Sequence, residues 1–169
     1  MYWQADKSDR GFTIIELLVV LIIIGIIAGL ATPSLVSFFR RNQIDAALSE
    51  LLGAIKETQS QAMRQSKTCQ LDINPNTNAL TANPPGCLLT VRTLNNDITI
   101  RTNLPGANPN IPFSHKGSTT RMGTIVLSSD LTTYQRCFVI SLGLGIMRTG
   151  NYTGNSESSI SASECTIPN

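Results

Sequence analysis

Four cysteines, one histidine and one oddly placed glutamate are the residues of this 169-residue chain best suited to chemistry. The cysteines lie at Cys69, Cys87, Cys137 and Cys165, spaced 18, 50 and 28 apart with no C-x-x-C pair. With His115 as the only histidine, that spacing argues against zinc and for disulfides in an oxidising compartment, with free buried thiols as the rival. Four cysteines allow three pairings. Cys69–Cys87 would clip a local hairpin and Cys137–Cys165 would tie down a polar tail, and these two are favoured. His115 stands beside Lys116 and Gly117 in a loop-like stretch and reads as a solvated surface residue. No paired-carboxylate, Ser-His-Asp or phosphate-loop pattern is present, and Cys–His chemistry would need a reduced thiol. The expectation is a non-enzyme with no cofactor and no metal. Glu16 is the odd residue: it sits five positions past Gly11 in GFTIIELLVVLIIIGIIAGLA. A bare charge in hydrocarbon costs roughly 2.5–3.5 kcal/mol on insertion scales.

The elements that must position these residues change in character along the chain. Phe12 to Ala31 is 20 residues, about 30 Å as a helix and one bilayer core thick. A buried soluble helix is excluded by the length and by the lack of a polar face. A secretory signal is disfavoured because no A-x-A-like site follows the apolar core. Lys7 and Arg10 weakly favour an N-terminus inside, with Arg40 and Arg41 competing on the other flank. After Pro33 the apolar residues recur at a helical period, through Leu35, Phe38, Phe39, Ile44, Leu48, Leu51 and Ile55. This predicts an amphipathic helix over 34–67, its first part exposed and its second packed on a domain. A coiled coil is disfavoured because Phe38–Phe39 does not suit a strict seam.

From Thr68 the period drops toward two. Predicted strands are Cys69–Ile73, Leu80–Ala82, Leu88–Thr93, Ile98–Thr102, Thr124–Ser128 and Cys137–Leu142, separated by Asn/Pro/Gly turn signals. A helix followed by antiparallel strands gives an α+β class, the sheet lying against the helix's apolar face. The tail 151–163 is rich in Ser, Asn and Gly and reads as irregular. Asn151-Tyr-Thr153 is a glycosylation triplet and receives no role. The net charge of +2 is too small to imply a nucleic-acid partner. Residues 68–169 hold six cations against five carboxylates, so no basic field is expected.

Gly11-Phe12-Thr13-Ile14-Ile15-Glu16-Leu17-Leu18, after a short hydrophilic leader and before a long apolar helix, resembles the type IV prepilin cleavage and methylation motif. The resemblance implies that a prepilin peptidase cuts after Gly11 and N-methylates Phe12. The leader 1–11 would then be absent from the working protein. It implies a pilin fold: a transmembrane and assembly helix over 12–33, the amphipathic helix 34–67, and a β-rich domain over 68–169. Cleavage creates an α-amine at Phe12, and a buried charge needs a partner. The family's answer is that Glu16 of one subunit meets the amine of its neighbour. An intrachain pairing with Phe12, four residues away, is also open. Gly25, Gly29 and Pro33 match positions where the pilin helix loosens to let subunits stack, and Gly25 and Gly29 also fit a small-xxx-small packing pattern.

The stretches 111–117, 123–127, 136–141 and 143–150 resemble the H-type pseudopilin (GspH)/FimT-like domain, whose last segment is a Gly…Arg…Gly turn. DNA-binding members carry two arginines in that turn. Here Ile146 replaces the first and Arg148 remains, which leaves Arg148 as a lone candidate phosphate contact. The resemblance therefore implies a minor pilin or pseudopilin in a type IV pilus or type II secretion pseudopilus. Its partners would be prepilin peptidase, other pilins met through the N-terminal helix, an inner-membrane assembly platform and the membrane. Its location would be the bacterial inner membrane, single-pass with the C-terminal domain periplasmic, and then a filament. The alternatives are a DNA-binding minor pilin for natural transformation and a plain membrane-anchored exported domain.

Overall fold

The computed structural model describes residues 11–106, 108–143, 145–155 and 158–167, with the side chains of 30–33 excepted. The chain divides into two units, Met1–Val36 and Ser37–Asn169. The first holds the apolar start of α1 (Ile14–Arg64), and the second holds the rest of α1 with all the strands. Among the described residues no single helix is long and apolar enough to cross a membrane. Ile14–Gly29 and Ser34–Arg64 taken as an interrupted pair pass by length and composition.

The part of α1 in the second unit is amphipathic. Ile44, Ala47, Leu48, Leu51, Ala54, Ile55, Thr58 and Ala62 are buried, one stripe at a 3.6-residue period. Thr58 keeps its hydroxyl satisfied inside that stripe by donating to the Ala54 carbonyl at 2.8 Å. The helix ends with Ser66 at φ 50° and the Lys67 N–H donating to the Ala62 carbonyl at 3.2 Å, a Schellman-type stop.

Among the described residues, nine strands form two antiparallel sheets. The first has the order β3-β2-β1-β5, from β1 (Cys69–Asn74), β2 (Ala79–Asn83), β3 (Arg92–Thr93) and β5 (Asn110–Phe113). The second has the order β4-β6-β7-β8-β9, from β4 (Thr99–Thr102), β6 (Gly123–Ser129), β7 (Thr132–Ile140), β8 (Met147–Tyr152) and β9 (Cys165–Thr166). β1 alternates strictly, with Cys69, Leu71 and Ile73 buried, as expected of a sheet with one face on the core. β6 does not alternate: Thr124, Ile125, Val126 and Leu127 are all buried. Ile125 and Leu127 join the main core with the helix stripe. Val126 faces the other way, into a second cluster with Cys137, Val139, Tyr152 and Cys165, covered by Ile160 and Ala162 of the tail. The tail is thus a second cover on the sheet's outer face.

Three readings from sequence change here. The strand expected over Leu88–Thr93 is only Arg92–Thr93. The Leu89 N–H donates to the Glu57 carboxylate at 2.7 Å instead of to a ladder, and Arg92 bonds the same carboxylate at 2.5 Å. Gly53 makes room for that approach, since a Cβ there would lie 2.7 Å from an Arg92 guanidinium nitrogen. β5 was not among the predicted strands; it follows the Pro109 turn signal and carries Pro112. Pro112 is tolerated because β5 is an edge strand. The turn implied over 143–150 is replaced from Met147 onward by strand β8, and Arg148 pairs with Val139 inside the ladder.

Candidate processing and assembly site

Gly11, Phe12 and Thr13 precede the first helical residue, and Phe12 is 78% exposed. Thr13 is the local organiser. Its carbonyl accepts the N–H groups of Glu16 and Leu17, both at 3.1 Å, and its hydroxyl accepts the Glu16 N–H at 3.3 Å. Thr13-Ile-Ile-Glu16 is therefore a capping-box sequence at the head of α1. The carboxylate of Glu16 lies in the first turn, where the helix dipole favours negative charge. Sequence reasoning singled out Glu16 and missed Thr13, although the T-x-x-E spacing was there to be read. Phe12 lies outside α1, so in the uncut chain it does not share a helical face with Glu16.

The apolar start of α1 presents its side chains outward. Ile14 is 87% exposed, and every large apolar residue from Ile14 to Ile27 is exposed. A Cβ at Gly25 or Gly29 would meet nothing within 4 Å, so both glycines border open space. Pro33 lies outside the residues whose side chains are described. An apolar helix of this kind is satisfied by lipid or by other helices.

The remaining candidates sit in the second unit. Cys69 is bonded to Cys87 and Cys137 to Cys165, with Cα separations of 5.6 and 5.8 Å. The first bridge ties β1 to the loop before β3. The second ties β7 to the end of the tail across β8. His115 is exposed. No group of three His, Cys, Asp or Glu able to hold a metal occurs among the described residues. Arg148 is exposed on β8, and its Nη2 donates to the Ala162 carbonyl at 2.5 Å, holding the tail. Other cations are also engaged within the fold. Arg40 pairs with Asp97, Arg92 with Glu57 and Arg136 with Asp45. For Arg136 the Nε–Oδ1 distance is 3.1 Å but the hydrogen-bond angle is poor, so the contact is an ion pair without a directed bond. Asp45 also accepts from the Tyr134 hydroxyl at 3.1 Å. Burial raises the Tyr134 pKa above its ordinary value, opposed by Arg136 and helped by Asp45.

Residues 6–32 match the family model of the prokaryotic N-terminal methylation motif. Two fimbrial proteins of Pseudomonas aeruginosa are each 39% identical over 61 residues, which is 36% of this chain and 39% of theirs. The chain thus matches about two fifths of the length of those relatives. Among solved structures, the type IV minor pilin FimU of Pseudomonas aeruginosa matches with a TM-score of 0.54 at 17% identity, over 66% of this chain and 90% of FimU. The minor pseudopilin EpsH of the Vibrio cholerae type 2 secretion system matches at 0.52 and 11%, over 64% of this chain and 97% of EpsH. The fold is that of minor pilins and pseudopilins. Its head carries the prokaryotic N-terminal methylation motif, and its fold is similar to that of the minor pilin FimU and the minor pseudopilin EpsH.

Proposed function

We propose that this chain is a structural subunit, a minor pilin or pseudopilin, that joins a cell-envelope filament after its leader is removed. The observation that carries this reading is the Gly11-Phe12…Glu16 motif at the head of a helix apolar on every side. A prepilin peptidase would cut between Gly11 and Phe12 and methylate the new amine. The exposure of Gly11 and Phe12 ahead of the first helical residue suits such access. The cut leaves a cation one helical turn from Glu16. In an apolar bundle each charge is costly alone and tolerable as a pair, so the amine of one copy and Glu16 of its neighbour would set the helix register. Gly25, Gly29 and Pro33 would let the helix adapt to its neighbours. The working location would be the inner membrane with the disulfide domain outside the cytoplasm, in contact with an assembly platform, and then the filament.

Mass spectrometry of the chain from cells with active prepilin peptidase should show an N-methylated Phe12 terminus. An intact Met1 terminus there would overturn the proposal. A DNA-uptake role has less support, because Arg148 holds the tail and the other paired arginines serve the fold.

A further inference from the structure

The β6–β7 hairpin carries complementary chemistry at its two ends. At the tip, Asp130 is followed by Leu131, 61% exposed. At the open end, Gly123 pairs with Ile140, and the Ser141 N–H donates to the Ile146 carbonyl at 3.0 Å. Met122, Ser141 and Ile146 therefore lie at one level, just past the strand ends. Met122, Leu142 and Ile146 are 66%, 61% and 65% exposed. Beside them is a pocket of about 370 Å³ lined by Met122, Thr124, Val139, Leu142, Arg148 and Ala162, among others.

This pocket continues the outer sheet face that the tail covers. Thr124, Val139 and Arg148 share one register level, and Val139 belongs to the cluster capped by Ile160 and Ala162. Past Ala162, Met122 and Leu142 on the pocket wall are exposed. What would complete it is an aliphatic side chain beside a carboxylate, set against an exposed guanidinium. Asp130-Leu131 is such a pair. It lies a whole strand away, about 20 Å for the length of β6, so it cannot reach the pocket of its own chain.

We propose that the Asp130–Leu131 tip of one copy seats in the pocket walled by Met122, Leu142 and Arg148 of a second copy, beside the exposed Ile146, with Asp130 facing Arg148. The contact is heterologous: tip to pocket leaves a free pocket on one copy and a free tip on the other, so it extends a row and does not close a dimer. Its small size makes it weak in solution. Copies held on one membrane gain effective concentration, which lets a weak contact count. For that crowding alone the inference rests on the assembly reading above.

The test places a photo-crosslinking residue at Leu131 of the full chain, in membranes of the cells that produce it. The expected product is a covalent dimer whose crosslink maps to Met122, Leu142 or Ile146. Leu142→Asp, at an exposed position, should cut its yield about tenfold, the equivalent of 1.4 kcal/mol. Arg148→Glu should do likewise, and Asp130→Arg added to Arg148→Glu should restore it. Absence of a dimer, a dimer mapped elsewhere, or crosslinks only to another polypeptide or to nucleic acid would overturn the contact. The N-terminus is read in the same sample. N-methylated Phe12 without the dimer rejects this contact and leaves the pilin reading standing, while the mapped dimer with an intact Met1 does the reverse.

Discussion

The start of α1 and the Ser37–Asn169 unit answer the same physical demand in opposite ways. Both are rich in aliphatic residues. In the second unit Ile44, Leu51, Ile55, Ile125, Leu127 and Phe138 meet one another and are buried. In the first, the large apolar residues from Leu17 to Ile27 are exposed. Apolar area withheld from water contributes about 25 cal/mol per Å² wherever it is buried. The second unit collects that contribution alone, and the first can collect it only from lipid or neighbouring helices. A helix built this way is specified for an environment, and a β domain built the other way is specified for itself.

That contrast can be broken most forcefully in the core. Phe138→Ala should lower the unfolding free energy of the second unit by about 3–5 kcal/mol, since it leaves a cavity under both β6 and β7. Ile22→Ala, a comparable loss of apolar volume, should move the same denaturant midpoint by less than about 0.5 kcal/mol. Equal effects of the two, measured on the full chain in detergent, would erase the distinction.

Removing the bridge that pins the tail should come next in size. Cys137→Ser with Cys165→Ser should cost about 2–4 kcal/mol. It should also expose Val126, Val139 and the cluster beneath Ile160, read as faster proteolysis within 153–164. The Cys69–Cys87 bridge should survive in that variant, since the two bridges lie in different sheets. If tail proteolysis does not change, the tail is held by its side-chain contacts alone.

The smallest effect is alkaline. Tyr152 has a raised pKa, first because it is buried and second because its hydroxyl bonds the Glu164 carboxylate at 2.5 Å; the Ser161 N–H and Arg101 oppose the rise. The folded state thus keeps the phenol proton to higher pH than the unfolded state does. The contribution is complete below the ordinary value near 10 and is lost as pH climbs through the folded value. Tyr152→Phe should cost about 1 kcal/mol at neutral pH and flatten the loss of stability above pH 10. A steeper loss in the variant would reverse the sign of this account.

Much of the molecule was legible because its signals are local. The helical period from Leu35 to Ile55 marks the stripe that the structure buries from Ile44 onward. The alternation of Cys69, Leu71 and Ile73 marks β1. β5 and β8 were less legible, since Pro112 and the glycines around 143–150 carry turn chemistry that pairing with β1 and β7 overrides. Leu88–Thr90 failed the other way. Its strand propensity yields to Glu57, 32 residues earlier, which takes the Leu89 N–H. Arg148 could be named from sequence as a cation, but its engagement with the Ala162 carbonyl needed the tail to fold back.

By itself the sequence determined the motif at Gly11, Phe12 and Glu16, the all-round apolar helix behind it, and the α+β class. Each depends on residues adjacent in the chain or one helical turn apart, so chain geometry alone expresses them. Only the tertiary structure decided that the tail covers the outer face of the second sheet, that Arg40, Arg92 and Arg136 serve ion pairs within the second unit, and that Met122, Leu142 and Ile146 share one exposed end. Those facts join residues tens of positions apart, and the pairing of β6, β7 and β8 is what brings them together.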